Sequence, residues 1–319
     1  MTARRGPAPS ARLRALNALL RRVVKPRLAA TPTPQIARAE FDRTARLLFR
    51  RPPHLLRLVA PGDPPLHWIT AGPVAPRGVL LYFHGGAYFA GSPVTHAGLI
   101  GHLSRAAGLR AAVPAYARAP ERPAPAAFED AVAAHARLCA LGHQPGEIVL
   151  AGDSAGGGLA LALLAHLLAR GAAPAGVVAF SPWTDLALGS ASLQANAAAD
   201  PMLPVRRIEE VVGYVLGDLR PDDPRVSPLH AVFPGPAPPV MIQVGETEIL
   251  RDDSLRMAAR LRRAGGPVRL ERWPAVPHAW PLFDGWIPEA AQAIAAAGAA
   301  SRSFAEAAIG APLTPPGRS

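Results

Sequence analysis

The chain has 319 residues, half of them hydrophobic, with a single cysteine and a formal charge of +11; this bounds it to one large domain with a cap and leaves no disulfide framework. Residues 1–51 carry thirteen basic and two acidic side chains and so hold the whole charge excess, which leaves a neutral body without the basic, aromatic-interleaved face of a nucleic-acid binder. No apolar run is long and unbroken enough to cross a bilayer, no Cys/His spacing suits zinc, and the lone Cys139 fits a reducing, cytoplasmic compartment.

In chain order, residues 1–10 are expected to be disordered. Arg4-Arg5 is followed by Gly-Pro-Ala-Pro rather than an apolar core, so no signal peptide is expected. From 10 to 24, Leu13, Leu16, Leu19, Leu20, Val23 and Val24 recur at helical spacing between arginines. Such a basic amphipathic helix can lie on an anionic membrane surface or pack on the protein's own body. Its short length and lack of an aromatic anchor favour packing. Thr31-Pro-Thr-Pro34 breaks the chain, and a second helix is expected over 35–50.

Strands are then expected at 55–59, 66–70, 78–83 and 110–114. A helix over 126–141 leads to a strand at 147–152 and a small-residue helix over 157–170. Strands at 177–181, 240–244 and 268–272 follow, with late helices at 253–264 and 287–307. Between 186 and 238 the alternation lapses into Ala-, Pro- and Asp-rich sequence with one helix, 205–216, as an excursion over the strand ends would. Residues 51–309 thus form an α/β body with that insertion, built on a mostly parallel central sheet with helices on both faces. The tail, 310–319, is expected to be flexible.

Between the strand and helix around residue 154 stands Gly152-Asp153-Ser154-Ala155-Gly156, the G-x-S-x-G pattern of a nucleophile elbow. A serine hydroxyl needs a base to take its proton, and the base needs an acid to orient it. On such a sheet the order is Ser, Asp or Glu, then His. His166 lies in the helix after the elbow and His230 in the irregular region. His278 follows a late strand on a loop, as a base should. The acid belongs after the strand at 240–244, where Glu246, Glu248, Asp252 and Asp253 stand. Asp252 and Asp253 precede a helix and suit capping; position favours Glu248, with Asp252 as its rival. The N–H of Ala155 can serve a developing oxyanion, and so can a glycine turn after a buried strand, here His84-Gly85-Gly86-Ala87-Tyr88.

Together, His84-Gly-Gly-Ala87, Gly152-Asp-Ser-Ala-Gly156, Glu248-Ile-Leu-Arg-Asp252 and Pro277-His278 resemble the hormone-sensitive-lipase-like family of α/β-hydrolases. Ser181-Pro-Trp-Thr-Asp185, Ala119-Pro-Glu121 and Asp223-Pro-Arg-Val-Ser-Pro228 extend the likeness. The resemblance implies the α/β-hydrolase fold, with residues 1–50 as a helical cap over the site. It implies a serine carboxylesterase with nucleophile Ser154, acid Glu248, base His278 and oxyanion donors Gly85, Gly86 and Ala155. The family's acid is ordinarily Asp, which keeps Asp252 in contention. Ala87 replaces the third motif glycine, and Ala115-Tyr-Ala-Arg118 lacks an acid and an arginine usual there.

Pocket walls are expected from Tyr88, Phe89, Trp183 and Trp280, with Met202, Tyr214 and Phe283 as further candidates. Asp153 is placed to interact with groups around the pocket, and Asp185 and Asp200 suit turns and caps. The expected substrate is a small-molecule ester with a short- to medium-chain acyl group, cleaved through an acyl-enzyme. A lactone hydrolase or an N-/O-deacetylase would use the same triad, and a non-catalytic receptor would have no use for His278. No cofactor, metal or nucleic acid is expected. A homodimer and contact of the basic helix with a membrane surface stay open.

Overall fold

The apolar runs assemble into one sheet. In the computed structural model, which describes residues 4–310 and Leu313, nine strands follow in chain order. They are β1 (Arg4–Arg5), β2 (Leu55–Ala60), β3 (Leu66–Ala71), β4 (Val79–Phe83), β5 (Arg110–Pro114), β6 (Ile148–Asp153), β7 (Gly176–Phe180), β8 (Val240–Gly245) and β9 (Val268–Trp273). Their spatial order is β1-β9-β8-β7-β6-β4-β5-β3-β2. The β2–β3 and β3–β5 pairs are antiparallel and every other pair is parallel. Strands β4, β6, β7 and β8 are buried throughout, which is why they read as continuous apolar runs rather than alternating ones.

Each face of the sheet carries its own apolar cluster. On one side lie α5 (Ala126–Ala140), α6 (Ala155–Leu168), α8 (Ile208–Leu216) and α9 (Arg251–Arg263), around Leu81, Leu150 and Ile242. On the other lie α1 (Ala11–Leu19), α4 (Ala97–Ala107) and α10 (Pro288–Ile309), around Leu80, Val149 and Met241. Odd and even strand positions therefore face different layers. Helix α4 is not among the expected helices. Its glycines depress helix propensity, yet a side chain at Gly98 would collide with the Arg50 carbonyl, so the close approach of the 50–52 segment demands the glycine.

The N-terminal segment is ordered by its caps. The Ser10 side chain accepts the Leu13 N–H to start α1; a π turn, Leu20–Val24, joins α1 to α2 (Lys25–Ala30); Thr33 accepts the Ile36 N–H to start α3 (Pro34–Leu48). Leu13 and Leu20 are buried in the α4/α10 layer, so the basic helix packs on the body. Residues 4–10 differ from the expected disorder. Arg4–Arg5 pair with Glu271 and Arg272, the Gly6 N–H donates to the Arg272 carbonyl, and Glu289 accepts both the amide and the hydroxyl of Ser10. Residues 1–3 and most of the expected flexible tail lie outside the described residues; Gly310 ends α10 in a left-handed cap and Leu313 is buried. The 186–238 excursion carries α7 (Ser192–Ala195) and α8. Among the described residues no helix is long and apolar enough to cross a membrane.

Candidate active site

The elbow is built where β6 turns into α6. Ser154 has φ +55°, a left-handed conformation that costs a non-glycine residue energy and persists where the surroundings enforce it. Here its N–H is fixed to the Phe180 carbonyl at 2.8 Å. A Cβ at Gly152 would strike the Gly156 backbone, and one at Gly156 would strike the Phe83 and His84 carbonyls. Both glycines are thus required by the turn.

The side chains named from the sequence converge on this serine. His278 Nε2 lies 2.8 Å from Ser154 Oγ, and His278 Nδ1 lies 2.7 Å from Glu248 Oε2. Glu248 is fully buried; its Oε1 accepts the Ser181 hydroxyl at 2.8 Å and the Gly245 N–H at 2.6 Å. Asp252 is turned elsewhere, accepting the Ser192 N–H at 2.9 Å and pairing with Arg251. Asp253 accepts the N–H groups of Thr184 and Asp185, and Glu246 pairs with Arg272. Of the four acids only Glu248 reaches the imidazole.

Electrostatics set the tautomer. Burial works against a charged His278, but the adjoining Glu248 carboxylate outweighs it and holds the imidazole above its usual value. Burial pushes the Glu248 carboxyl up, against the pull of His278 and the Gly245 N–H. With Nδ1–H donated to Glu248, Nε2 is left with its lone pair facing the Ser154 hydroxyl.

The glycine turn differs from expectation at one position. The Gly85 N–H is spent on Asp153 Oδ1 at 3.0 Å, which also accepts the Tyr82 hydroxyl at 2.8 Å, so it cannot point at an oxyanion. Gly86 and Ala87 line the cleft instead, and their N–H groups, like that of Ala155, donate to no acceptor among the described residues. Ala87 has φ +50°. His84 stacks on Tyr116 with ring centroids 4.2 Å apart. Burial, aided by nearby His96, pushes its imidazole down to about 3, so the neutral ring donates Nδ1–H to the Gly85 carbonyl at 2.8 Å. Burial alone would raise the Asp153 carboxyl, yet His96, whose Nε2 sits 3.4 Å away, and Tyr82 hold it low.

The cleft above Ser154 encloses about 210 Å³. Phe89 and Trp183 line it, as do Met202 and Tyr214. Tyr88 and Trp280 do not. Tyr88 points into a small cavity behind the turn, and Trp280 is fully buried against Trp273, donating to the Glu289 carbonyl at 3.3 Å. Phe283 packs against Phe49 in the core. Leu28 and Phe41, not among the expected pocket residues, join the wall from the N-terminal segment, and Ser181, not among the expected site residues, ties Glu248 to the His278 loop by accepting the Ala279 N–H at 3.3 Å. The Ser-Pro-Trp-Thr-Asp motif marks Ser181 in the sequence; no local pattern marks Leu28 or Phe41. Arg38 of α3 donates to the Phe89 and Ala119 carbonyls and pairs with Glu121, pinning this wall over the turn. Among the described residues no cluster of three or more side chains could hold a metal.

Known proteins match this chain over most of its length. A model of the alpha/beta hydrolase fold matches residues 80–282. An acetyl-hydrolase of Streptomyces hygroscopicus is 42% identical over 225 residues, 70% of this chain and 75% of that protein. An esterase of Acinetobacter venetianus is 33% identical over 264 residues, 82% of this chain and 86% of its own. The crystal structure of an esterase from the bacterial hormone-sensitive lipase (HSL) family superposes with a TM-score of 0.86 at 36% identity, covering 94% of this chain and 100% of that one.

Proposed function

As this chain belongs to the hormone-sensitive-lipase-like carboxylesterases of the α/β-hydrolase fold and is a carboxylic ester hydrolase, we propose that it works through an acyl-enzyme on Ser154 and takes short- to medium-chain acyl esters. The observation that carries the mechanism is the continuous chain from Ser154 Oγ through His278 to Glu248, with links of 2.8 and 2.7 Å.

In this reading His278 Nε2 takes the Ser154 proton as Oγ attacks the ester carbonyl. Glu248 stabilises the imidazolium without accepting its proton. The oxyanion of the tetrahedral intermediate is met by the N–H groups of Gly86, Ala87 and Ala155, each such donor being worth about 10²–10³ in rate. The imidazolium then protonates the leaving alcohol, and the neutral ring activates water to release the acid. Ser154, the imidazole and Glu248 all return to their starting states.

The cleft supports a small substrate. Its volume of about 210 Å³ falls below the roughly 300–1,000 Å³ of pockets for drug-sized ligands, and Leu28, Phe41, Met202, Leu203, Ile208 and Val211 give it an apolar wall. A small apolar acyl group suits it better than a long chain. The acetyl-hydrolase relative supports placing the preference toward the short end. One experiment tests both parts. A p-nitrophenyl phosphonate should release one equivalent of p-nitrophenol and leave the phosphonyl group's mass on the Ser154 peptide, and p-nitrophenyl esters from C2 to C12 should lose kcat/KM beyond medium length. Label on another residue, or a preference for C12, would refute the corresponding part.

A further inference from the structure

A polar stripe runs along the N-terminal helix from the buried Asn17 past the exposed Arg21 to the half-buried Lys25. Asn17, Arg21 and Lys25 recur every four residues, and each donates to a backbone carbonyl of a loop beside the triad. Asn17 is buried, and its Nδ2 donates to the Ala275 carbonyl at 2.7 Å; three residues later that loop presents His278. Lys25 Nζ donates to the carbonyls of Ala197 and Asp200, both at 2.7 Å, and Arg21 to that of Ala199 at 2.9 Å. The 197–200 loop is bonded in turn to the acid segment. Asn196 Nδ2 donates to the carbonyls of Glu246 and Glu248 at 2.9 and 2.7 Å, and Asp200 Oδ2 accepts the Ile249 N–H at 2.9 Å.

The helix is wound to make this possible. At 3.6 residues per turn, eight residues overshoot two full turns by about 80°, which would swing Lys25 away from the side Asn17 occupies. The π turn at Leu20–Val24, closed by the Lys25 N–H to the Leu20 carbonyl, takes more residues per turn and so reduces the overshoot. Burial of Leu13 and Leu20 would hold the helix down without any such alignment. The alignment is what brings one helix onto both loops.

We propose that Asn17 and Lys25, with Arg21 between them, are positioning residues of the triad. The N-terminal helix grips the base loop at one point and, through residues 196–200, the acid segment at another, and so fixes the spacing of His278 and Glu248. This inference rests on the Ser154–His278–Glu248 reading.

The test compares Lys25→Met, Asn17→Leu and Lys25→Arg with the exposed Arg22→Ala and with Ser154→Ala, all in the full chain on p-nitrophenyl butyrate. Lys25→Met and Asn17→Leu are expected to lower kcat roughly 10- to 100-fold with KM changed less than about twofold. The acid limb of kcat/KM should move to lower pH, because a displaced Glu248 no longer supports the imidazolium while burial still opposes it. Lys25→Arg, which keeps a donor, should recover most of kcat, and Arg22→Ala should match the parent. Folded Lys25→Met with parental kcat and an unmoved acid limb overturns the proposal. If Asn17→Leu does not fold, the half-buried Lys25 decides the matter alone. Hydrolysis surviving in Ser154→Ala would refute the triad itself, whereas an inactive Ser154→Ala beside a fully active Lys25→Met refutes only the positioning role.

Discussion

The Gly85 N–H donates to Asp153 Oδ1 at 3.0 Å. This bond joins the residue beside Ser154 to the turn that faces it, while Gly86 and Ala87, whose N–H groups find no acceptor among the described residues, line the cleft. Truncation of Asp153 strands both this N–H and the Tyr82 hydroxyl in a buried site, at a cost of about 1–3 kcal/mol for each unsatisfied group. Asp153→Ala is therefore expected to lower both melting temperature and kcat, the latter about 10²-fold through the misplaced turn. Tyr82→Phe, which keeps the Gly85 bond, should retain kcat within about tenfold. Steady-state kinetics with circular-dichroism melting checks both, and an Asp153→Ala enzyme with parental kcat would show that the turn holds its shape unaided.

The acid is tested by a matched pair. Glu248→Gln preserves size but presents the imidazole with a neutral group that no longer enforces its tautomer, and the expected loss in kcat is about 10³–10⁴. Asp252→Asn loses only charge at a carboxylate engaged with Ser192 and Arg251 and should stay within about threefold of the parent, in line with a substitution away from the reacting groups. A larger loss in Asp252→Asn would reverse the assignment.

The pH profile carries a definite sign. His278 must be neutral to accept the Ser154 proton, and Glu248 holds its imidazolium stable above the usual histidine value of 6.5 despite burial. Activity should therefore fall as pH drops through a midpoint higher than 6.5. The profile of kcat/KM for the free enzyme reports that midpoint; a value below 6.5 would mean that burial outweighs the carboxylate.

Much of this site was legible in the sequence because its chemistry is local. Strand-turn-helix punctuation marks Ser154, and the loop after β9 marks His278. In the sequence Glu248 and Asp252 are close rivals because both follow β8, and only tertiary packing turns Asp252 toward Ser192 and Arg251. The motif names Gly85 as an oxyanion donor, and the structure differs for a similar reason. The motif places three N–H groups in a row, and which of them is consumed depends on a carboxylate 68 residues away. Trp280 sits two residues beyond the base, yet the left-handed Ala279 at φ +49° turns the chain inward and buries it. Helix α4 is faint in the sequence because glycines needed for close packing weaken its helical signal.

The most direct test of the central claim is kcat/KM for p-nitrophenyl butyrate in Ser154→Ala, with melting temperature as the control for folding. The predicted outcome is a folded protein whose activity falls about 10⁵- to 10⁶-fold, the scale of losing a nucleophile from an intact triad. A folded Ser154→Ala protein that retains activity within tenfold of the parent would contradict the mechanism.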